Sequence, residues 1–123
     1  AAAARIGGAA VVIASGETTV HVRGGGTGGR NQEFALGAAI EIAGSRVPMA
    51  VAACGTDGVD GNSTAAGALA DASTVARARD AGLDAREVLA ANDSYALFSR
   101  LGDAIVTGPT GTNAGDVYIA LVG

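Results

Sequence analysis

Apolar and polar positions along this chain follow two alternating periods, and the switches between them predict its elements. Residues Ala9–Ala14 and Thr18–Arg23 are β-branched runs split by Ser15-Gly16-Glu17, a pattern that predicts a hairpin. The glycine-rich stretch Gly24 to Gly29 then suits neither helix nor strand. From Asn31 to Ala43 apolar residues, among them Phe34, Leu36, Ile40 and Ile42, fall nearly all round a helix, so this helix should be buried, with Gly44 closing it. Val47–Cys54 is apolar on both faces and predicts a central strand, with Pro48 near its start where no ladder bond is lost. Ala66–Ala70 reads as a short strand. Helices follow at Ser73–Ala81 and Ala85–Ala91, the second with Asp84 as N-cap and Glu87 at the capping-box position. Asp93 is placed to cap a third helix, Ser94–Leu101, and Ala104–Thr107 and Val117–Val122 end the chain as strands.

This alternation implies an α/β domain: a mixed β-sheet flanked by helices, with glycine-rich loops at strand ends, where open α/β sheets place their ligands. At 123 residues the chain has the length of one domain with a real core. Residues 1–14 read as a linker or N-terminal edge continuing into the first strand, without the architecture of a cleavable signal, and residues 15–123 as the domain proper. Apolar residues make up 49% but aromatics only 3%, so the core must be assembled from many small side chains.

Charge narrows the partners. Twelve carboxylates face eight basic residues, all of them Arg, for a net charge of −4. No basic stripe interleaved with aromatics is present, which argues against nucleic acid and against anionic membrane surfaces. Every apolar stretch is broken well short of a membrane span. Cys54 is the single cysteine, which excludes an internal disulfide and a zinc cluster and fits a reducing, cytoplasmic setting. His21 is the single histidine, so neither a histidine metal triad nor a Ser–His pair can come from this chain.

Three segments could carry chemistry. In Gly24-x-Gly26-x-Gly28-Gly29-Arg30-Asn31-Gln32-Glu33, glycines permit close backbone approach to an anion, and Arg30 offers a planar charged fork at the start of a helix whose first N–H groups point the same way. The bland alternative is a flexible turn with a solvated Arg. No Lys-Ser/Thr follows, so this is not a Walker loop. The register Gly24, Gly26, Gly29 also lacks the acidic ribose partner of a dinucleotide site. In Gly55-Thr56-Asp57-Gly58-Val59-Asp60-Gly61, Asp57 and Asp60 could hold Mg²⁺ through water or accept a proton from a hydroxyl, or could simply form turns. Thr107-Gly108-Pro109-Thr110-Gly111-Thr112-Asn113, with Asp116 beyond it, could cradle a phosphate or nucleotide, or be a tight turn between strands. In Asn92-Asp93-Ser94-Tyr95, helix capping by Asp93 accounts for most of the pattern.

Taken together and in this order, GETTV, GGRNQEFAL, GTDGVDG, AAGA, NDSY and GPTGTN resemble the MOFRL domain, the C-terminal half of the class II glycerate kinases, a family that also carries the label hydroxypyruvate reductase. The resemblance runs from about Ser15 to Val122. It implies an ATP-dependent glycerate 2-kinase (a phosphotransferase) that uses Mg²⁺ to phosphorylate D-glycerate, in a cleft shared with an N-terminal Rossmann-like domain that this chain does not include. Arg30 corresponds to an arginine implicated in substrate binding and catalysis, with Asn31 and Glu33 in the same motif. By position, Asp57 is a further catalytic candidate, and Asp57 and Asp60 are metal candidates. Gly28, Gly29, Asn31, Glu33, Thr110, Gly111, Thr112 and Asn113 are candidates for binding substrate or phosphate. The chain departs from the family at Ser15, at Asn62-Ser63-Thr64 and at Gly115, and it has no Lys to replace the one the family uses. An NAD(P)H-dependent hydroxypyruvate reductase, and a folded domain silent without its partner domain, stand as alternatives; oligomeric state is left open.

Overall fold

The structure, a computed structural model, describes residues 2–6 and 9–123, with side chains from residue 9 onward. Among these residues the chain forms six strands and four helices: β1 (Ala2–Ile6), β2 (Ala9–Gly16), α1 (Arg30–Ile42), β3 (Met49–Gly55), β4 (Gly67–Asp71), α2 (Thr74–Asp80), α3 (Ala85–Ala90), α4 (Ser94–Leu101), β5 (Ala104–Ile105) and β6 (Asp116–Val122). The α/β architecture expected from the alternation of periods holds. The strands make one sheet in the order β1-β2-β6-β3-β4-β5, and all five pairings are antiparallel, so among the described residues the expected mixture of strand directions is absent.

The C-terminal strand sits inside this sheet. β6 lies between β2 and β3, so that Asp116 faces Gly16 on one side and Gly55 on the other. Both cross-strand neighbours of this buried carboxylate therefore lack side chains, which leaves room above it.

Helices cover one face of the sheet. Ala35, Leu36 and Ala39 of α1 pack with Ala68 and Ala70 of β4, Ala78 of α2, Ala85 of α3, and Leu97 and Phe98 of α4. The expectation of a core made from small side chains is met: only Phe98, Leu36 and Leu97 are large among the fully buried apolar residues. Alanine at the contact positions lets α1 lie close to the sheet. The opposite face carries Ile13, Leu69 and Leu121, each about half exposed.

Two readings of the sequence are corrected. The run Thr18–Arg23 forms no strand, because β2 already has β1 on one edge and β6 on the other and offers it no free edge. It crosses instead as an extended strap towards the α3–α4 junction. Residues 1–14, read as a linker or N-terminal edge continuing into the first strand, hold an edge strand, since Ala2–Ile6 pairs with Ala9–Ile13; Ala1, Gly7 and Gly8 lie outside the described residues. Helix capping divides. Asp84 accepts from the N–H groups of Arg86 and Glu87, as its position predicts. Asp93 makes no cap bond to α4, its carboxylate being drawn away to the Thr27 N–H at 2.9 Å.

Two glycines give opposite expectations for stability. A Cβ on Gly67 would collide with the Ala53 carbonyl across the sheet, whereas one on Gly37 in α1 would meet nothing within 4 Å. Gly67→Ala should cost about 1–3 kcal/mol through overpacking. Gly37→Ala should gain about 0.5–1 kcal/mol, the helix-interior difference between the two residues. Urea unfolding of both variants checks the pair of signs.

Candidate functional site

α1 begins with an anion already in place. Gly29, its N-cap, is extended and has no side chain to cap with. The carboxylate of Asp60 does this work from another loop: Oδ1 accepts from the Asn31 backbone N–H (3.0 Å) and Nδ2 (3.1 Å), and Oδ2 from the Gln32 backbone N–H (2.9 Å) and Nε2 (3.0 Å). Asp60, Asn31 and Gln32 are all fully buried. A carboxylate at a helix N-terminus is favoured both by the free N–H groups and by the helix dipole. Turning both amides towards Asp60 leaves Asn31 Oδ1 and Gln32 Oε1 buried without a hydrogen-bond partner among the described residues.

This geometry corrects two expectations. The Asn31 and Gln32 N–H groups in the first turn of α1 are already taken by Asp60, so Asn31 does not offer its N–H to a phosphate. Gly29 is glycine because a Cβ would run into Asp60, and the Gly28 N–H is taken by Asn62 Oδ1 at 2.9 Å. Asp60 in turn accepts four hydrogen bonds in a closed interior, which excludes it as a metal ligand. Among the described residues no group of three or more His, Cys, Asp or Glu converges as a metal site.

Arg30, the first residue of α1, projects over the sheet instead. Its Nε donates to Asp116 Oδ2 at 2.6 Å and its Nη2 to Oδ1 at 3.0 Å, a two-pronged ion pair with a carboxylate that is itself fully buried. The gap left by Gly16 and Gly55 admits this pair. Burial alone would raise the Asp116 pKa, but the hydrogen bonds and charge of Arg30 outweigh it and hold the carboxyl below its ordinary value. Asp116 raises the Arg30 pKa, with exposed Glu17 adding a weaker contact at 3.8 Å. A guanidinium has five N–H donors, and Asp116 takes two of Arg30's, leaving three directed by a fixed plane.

The glycine run is a packing seam. Gly24 and Gly26 press on the α3–α4 junction, where a Cβ would strike Ala91 or Asp93. Asn92, with φ of 54°, organises this junction: its Oδ1 accepts from the Arg23 and Gly24 N–H groups, while its Nδ2 donates to the His21 carbonyl and, at 2.6 Å, to Glu33 Oε1. Asn is among the few non-glycine residues that tolerate such a φ. Sequence reasoning passed over Asn92 by reading NDSY as a helix cap, and noted Asp116 without assigning it. An Asn between two short helical segments, a residue type that tolerates positive φ, was the signal available for the first. Burial pushes the Glu33 carboxyl up, opposed by the Asn92 hydrogen bond and reinforced by the charge of Asp60.

The other two loops zip to each other. The Thr110 N–H donates to the Asp57 carbonyl (3.1 Å) and its hydroxyl to the Thr56 carbonyl (2.6 Å), while Thr56 closes on Gly115 and Ala114. Thr110, Gly111, Thr112 and Asn113 form an exposed rim. Asp57 is half-buried and its Oδ1 accepts from the Val59 N–H at 3.1 Å. Burial raises the pKa of Cys54, with Asp116 and Asp60 adding to the effect, so this thiol is not poised as a nucleophile.

In front of the seam lies a cavity of about 460 Å³ lined by Arg30, Glu33, Thr18, Thr19, Asn62 and Asn92 among others. The sequence candidates Gly28, Gly29, Arg30 and Glu33 come together here, the last two on one face of α1. Asp57 and the GPTGTN rim stand outside its lining.

Comparison with known proteins fits this arrangement to a family. The MOFRL family profile matches residues 10–116. The chain belongs to the MOFRL family. This MOFRL domain is 46% identical over 113 residues to the D-glycerate 2-kinase of Thermotoga maritima, covering 92% of the chain but 27% of that enzyme. It is 46% identical over 116 residues to a putative hydroxypyruvate reductase of Agrobacterium vitis, covering 93% of the chain and 26% of that protein. The crystal structure of glycerate kinase (EC 2.7.1.31) from Thermotoga maritima superposes with a TM-score of 0.88 at 45% identity, over 92% of this chain and 27% of that one. The MOFRL domain thus spans about a quarter of the length of these relatives. No helix among the described residues is long and apolar enough to cross a membrane.

Two substitutions probe the site's scaffolding. Asp60→Ala strips the cap and leaves two backbone N–H groups and two amides buried without their acceptor; it should destabilise by at least about 3 kcal/mol in chemical denaturation. For Asp116 the folded pKa lies below the unfolded one, so its contribution is present above the unfolded pKa, ordinarily 3.8, and is lost as pH falls through the folded value. Stability of the wild type should fall on acidification below that ordinary value more steeply than that of Asp116→Asn, measured as unfolding free energy against pH.

Proposed function

We propose that this domain contributes the acceptor side of an ATP-dependent glycerate 2-kinase, which transfers the γ-phosphoryl group of ATP to the 2-hydroxyl of D-glycerate. The observation that carries the reading is Arg30: a guanidinium locked in plane by buried Asp116, with three donors left at the wall of an open cavity. Such a fork suits a carboxylate or a phosphoryl oxygen, and its rigidity removes the reorganisation that a free side chain would need. Phosphoryl transfer depends on positioning and charge stabilisation of this kind more than on a covalent nucleophile. The kinases among the relatives support the same reaction class.

The reductase alternative finds no support in the geometry. Of the glycines that could mimic a dinucleotide fingerprint, Gly24 and Gly26 are pressed against Ala91 and Asp93 and Gly29 against Asp60, with no space for a pyrophosphate. Mg²⁺ fares little better within this chain. With Asp60 saturated, Asp57 is the one carboxylate of its loop with an oxygen to offer, too few for an ion held by this domain's residues alone. ATP enters as a substrate, and the exposed Thr110, Gly111, Thr112 and Asn113 rim is the part of this domain best placed to meet its phosphates. The remaining parts of the active site, including a lysine that this chain lacks, are assigned to the Rossmann-like domain that precedes MOFRL in full-length kinases, and the setting is cytoplasmic.

The isolated 123-residue chain should therefore fold but release no ADP with glycerate. In a full-length kinase carrying this domain, Arg30→Ala should lower kcat/KM on the order of 10²–10³-fold, about 3–4 kcal/mol. Arg30→Lys, which keeps the charge and loses the fork, should recover only part of it. ADP-release kinetics decide this. Retention of more than about a tenth of wild-type kcat/KM by Arg30→Ala, a loss under ~1.4 kcal/mol, reduces Arg30 to a structural residue.

A further inference from the structure

Among the described residues Glu33 is the only acid lining the cavity that Arg30 borders. The two residues stand three apart on α1, the spacing that brings side chains to one helix face with Cβ atoms about 5–6 Å apart. Glu33 is held from behind: Asn92 Nδ2 donates to its Oε1 at 2.6 Å, while its second oxygen accepts no hydrogen bond from the described residues. The charged groups on the elements that meet it are Arg30 on its own helix with Glu17 beside it, Asp60 capping that helix, Asp93 at the start of α4 with its carboxylate on Thr27, and exposed His21 and Arg23 on the strap, whose backbone meets Asn92. In a 2-hydroxy acid the hydroxyl sits on the carbon next to the carboxylate. A substrate whose carboxylate is clamped by Arg30 carries its hydroxyl on the adjacent carbon, inside the cavity that Glu33 also lines.

Resting on the kinase reading above, we propose that Glu33 is the proton acceptor for the substrate's 2-hydroxyl. As that oxygen forms its bond to the γ-phosphorus of ATP, its O–H bond breaks and the proton passes to the free oxygen of Glu33. The bond from γ-phosphorus to the bridging oxygen breaks, and ADP leaves with that electron pair. Burial raises the basicity of Glu33, in keeping with this task. Asp57, the acid that sequence position favours for catalysis, lies outside the cavity lining and is engaged with Val59.

The test uses a full-length kinase carrying this domain, with ADP release measured against glycerate concentration and pH. Glu33→Gln keeps an acceptor for Asn92 and so preserves the junction, which a thermal melt verifies. Its kcat should fall about 10²-fold or more with KM for glycerate nearly unchanged, and the acid limb of the kcat profile should vanish. Glu33→Asp, which shortens the reach but keeps the base, should recover part of kcat and retain an acid limb. It also serves as the deciding variant if Glu33→Gln melts early. The proposal is overturned if Glu33→Gln keeps kcat within about tenfold together with the acid limb, if either variant changes KM alone, or if Asp57→Asn removes the limb instead. A wild-type enzyme that releases no ADP with glycerate overturns this proposal and the kinase reading together. Loss of the Glu33 effect in an active wild type overturns this proposal alone.

Discussion

The buried carboxylate of Asp60 is the constraint from which the site is built. A helix with a glycine N-cap and no capping side chain would begin loosely, yet α1 begins sharply because Asp60 reaches its first turn from the loop after β3. The same carboxylate fixes Asn31 and Gln32, and through Gly29 and Gly61 it brings two glycine-rich loops into backbone contact. Because the helix start is pinned, Arg30 leaves α1 at a defined point over the sheet. An anion supplied by the protein itself uses up the attraction a helix N-terminus holds for phosphate. In the proposed site, substrate recognition then falls to the side chains around it.

A second buried carboxylate converts that placement into chemistry. Asp116 lies inside the sheet between two glycines and has Arg30 as its only ion-pair partner among the described residues. A buried pair of this kind need not raise stability above that of apolar residues, since desolvation costs about as much as the attraction returns. What it gives is a fixed guanidinium plane. The antiparallel order of the sheet matters here, because inserting β6 between β2 and β3 joins the strand ends of three distant segments at one point.

The seam at Asn92 shows how a small-residue composition is used. Where many proteins would fill the space between helices with large apolar side chains, this domain brings backbone against backbone at Gly24, Gly26, Gly28 and Gly29 and satisfies the exposed N–H groups with Asn92, Asp93 and Asn62. Glu33 is caught in the same network, so the acid in the cavity and the packing of the α3–α4 junction are held by one residue.

Sequence alone determined the helices, the central strand and the α/β class, because these rest on local periodicity and on local caps such as Asp84. It named Arg30 and Asp57 as catalytic candidates and Glu33 among the binding ones, by residue type and motif, and the order of its motifs pointed to the family. Tertiary structure decided everything that depends on who else competes for a group. Thr18–Arg23 has the composition of a strand but found no open sheet edge, and Asp93 has the position of a cap but found a stronger partner in Thr27. Asp57 and Asp60 look equivalent in sequence; one is half-buried at a loop and the other is a saturated interior cap. Hydrogen-bonding capacity is finite, and its allocation across 29 residues of chain from Asp60 to Asn31, or 86 from Asp116 to Arg30, is fixed only when the sheet closes.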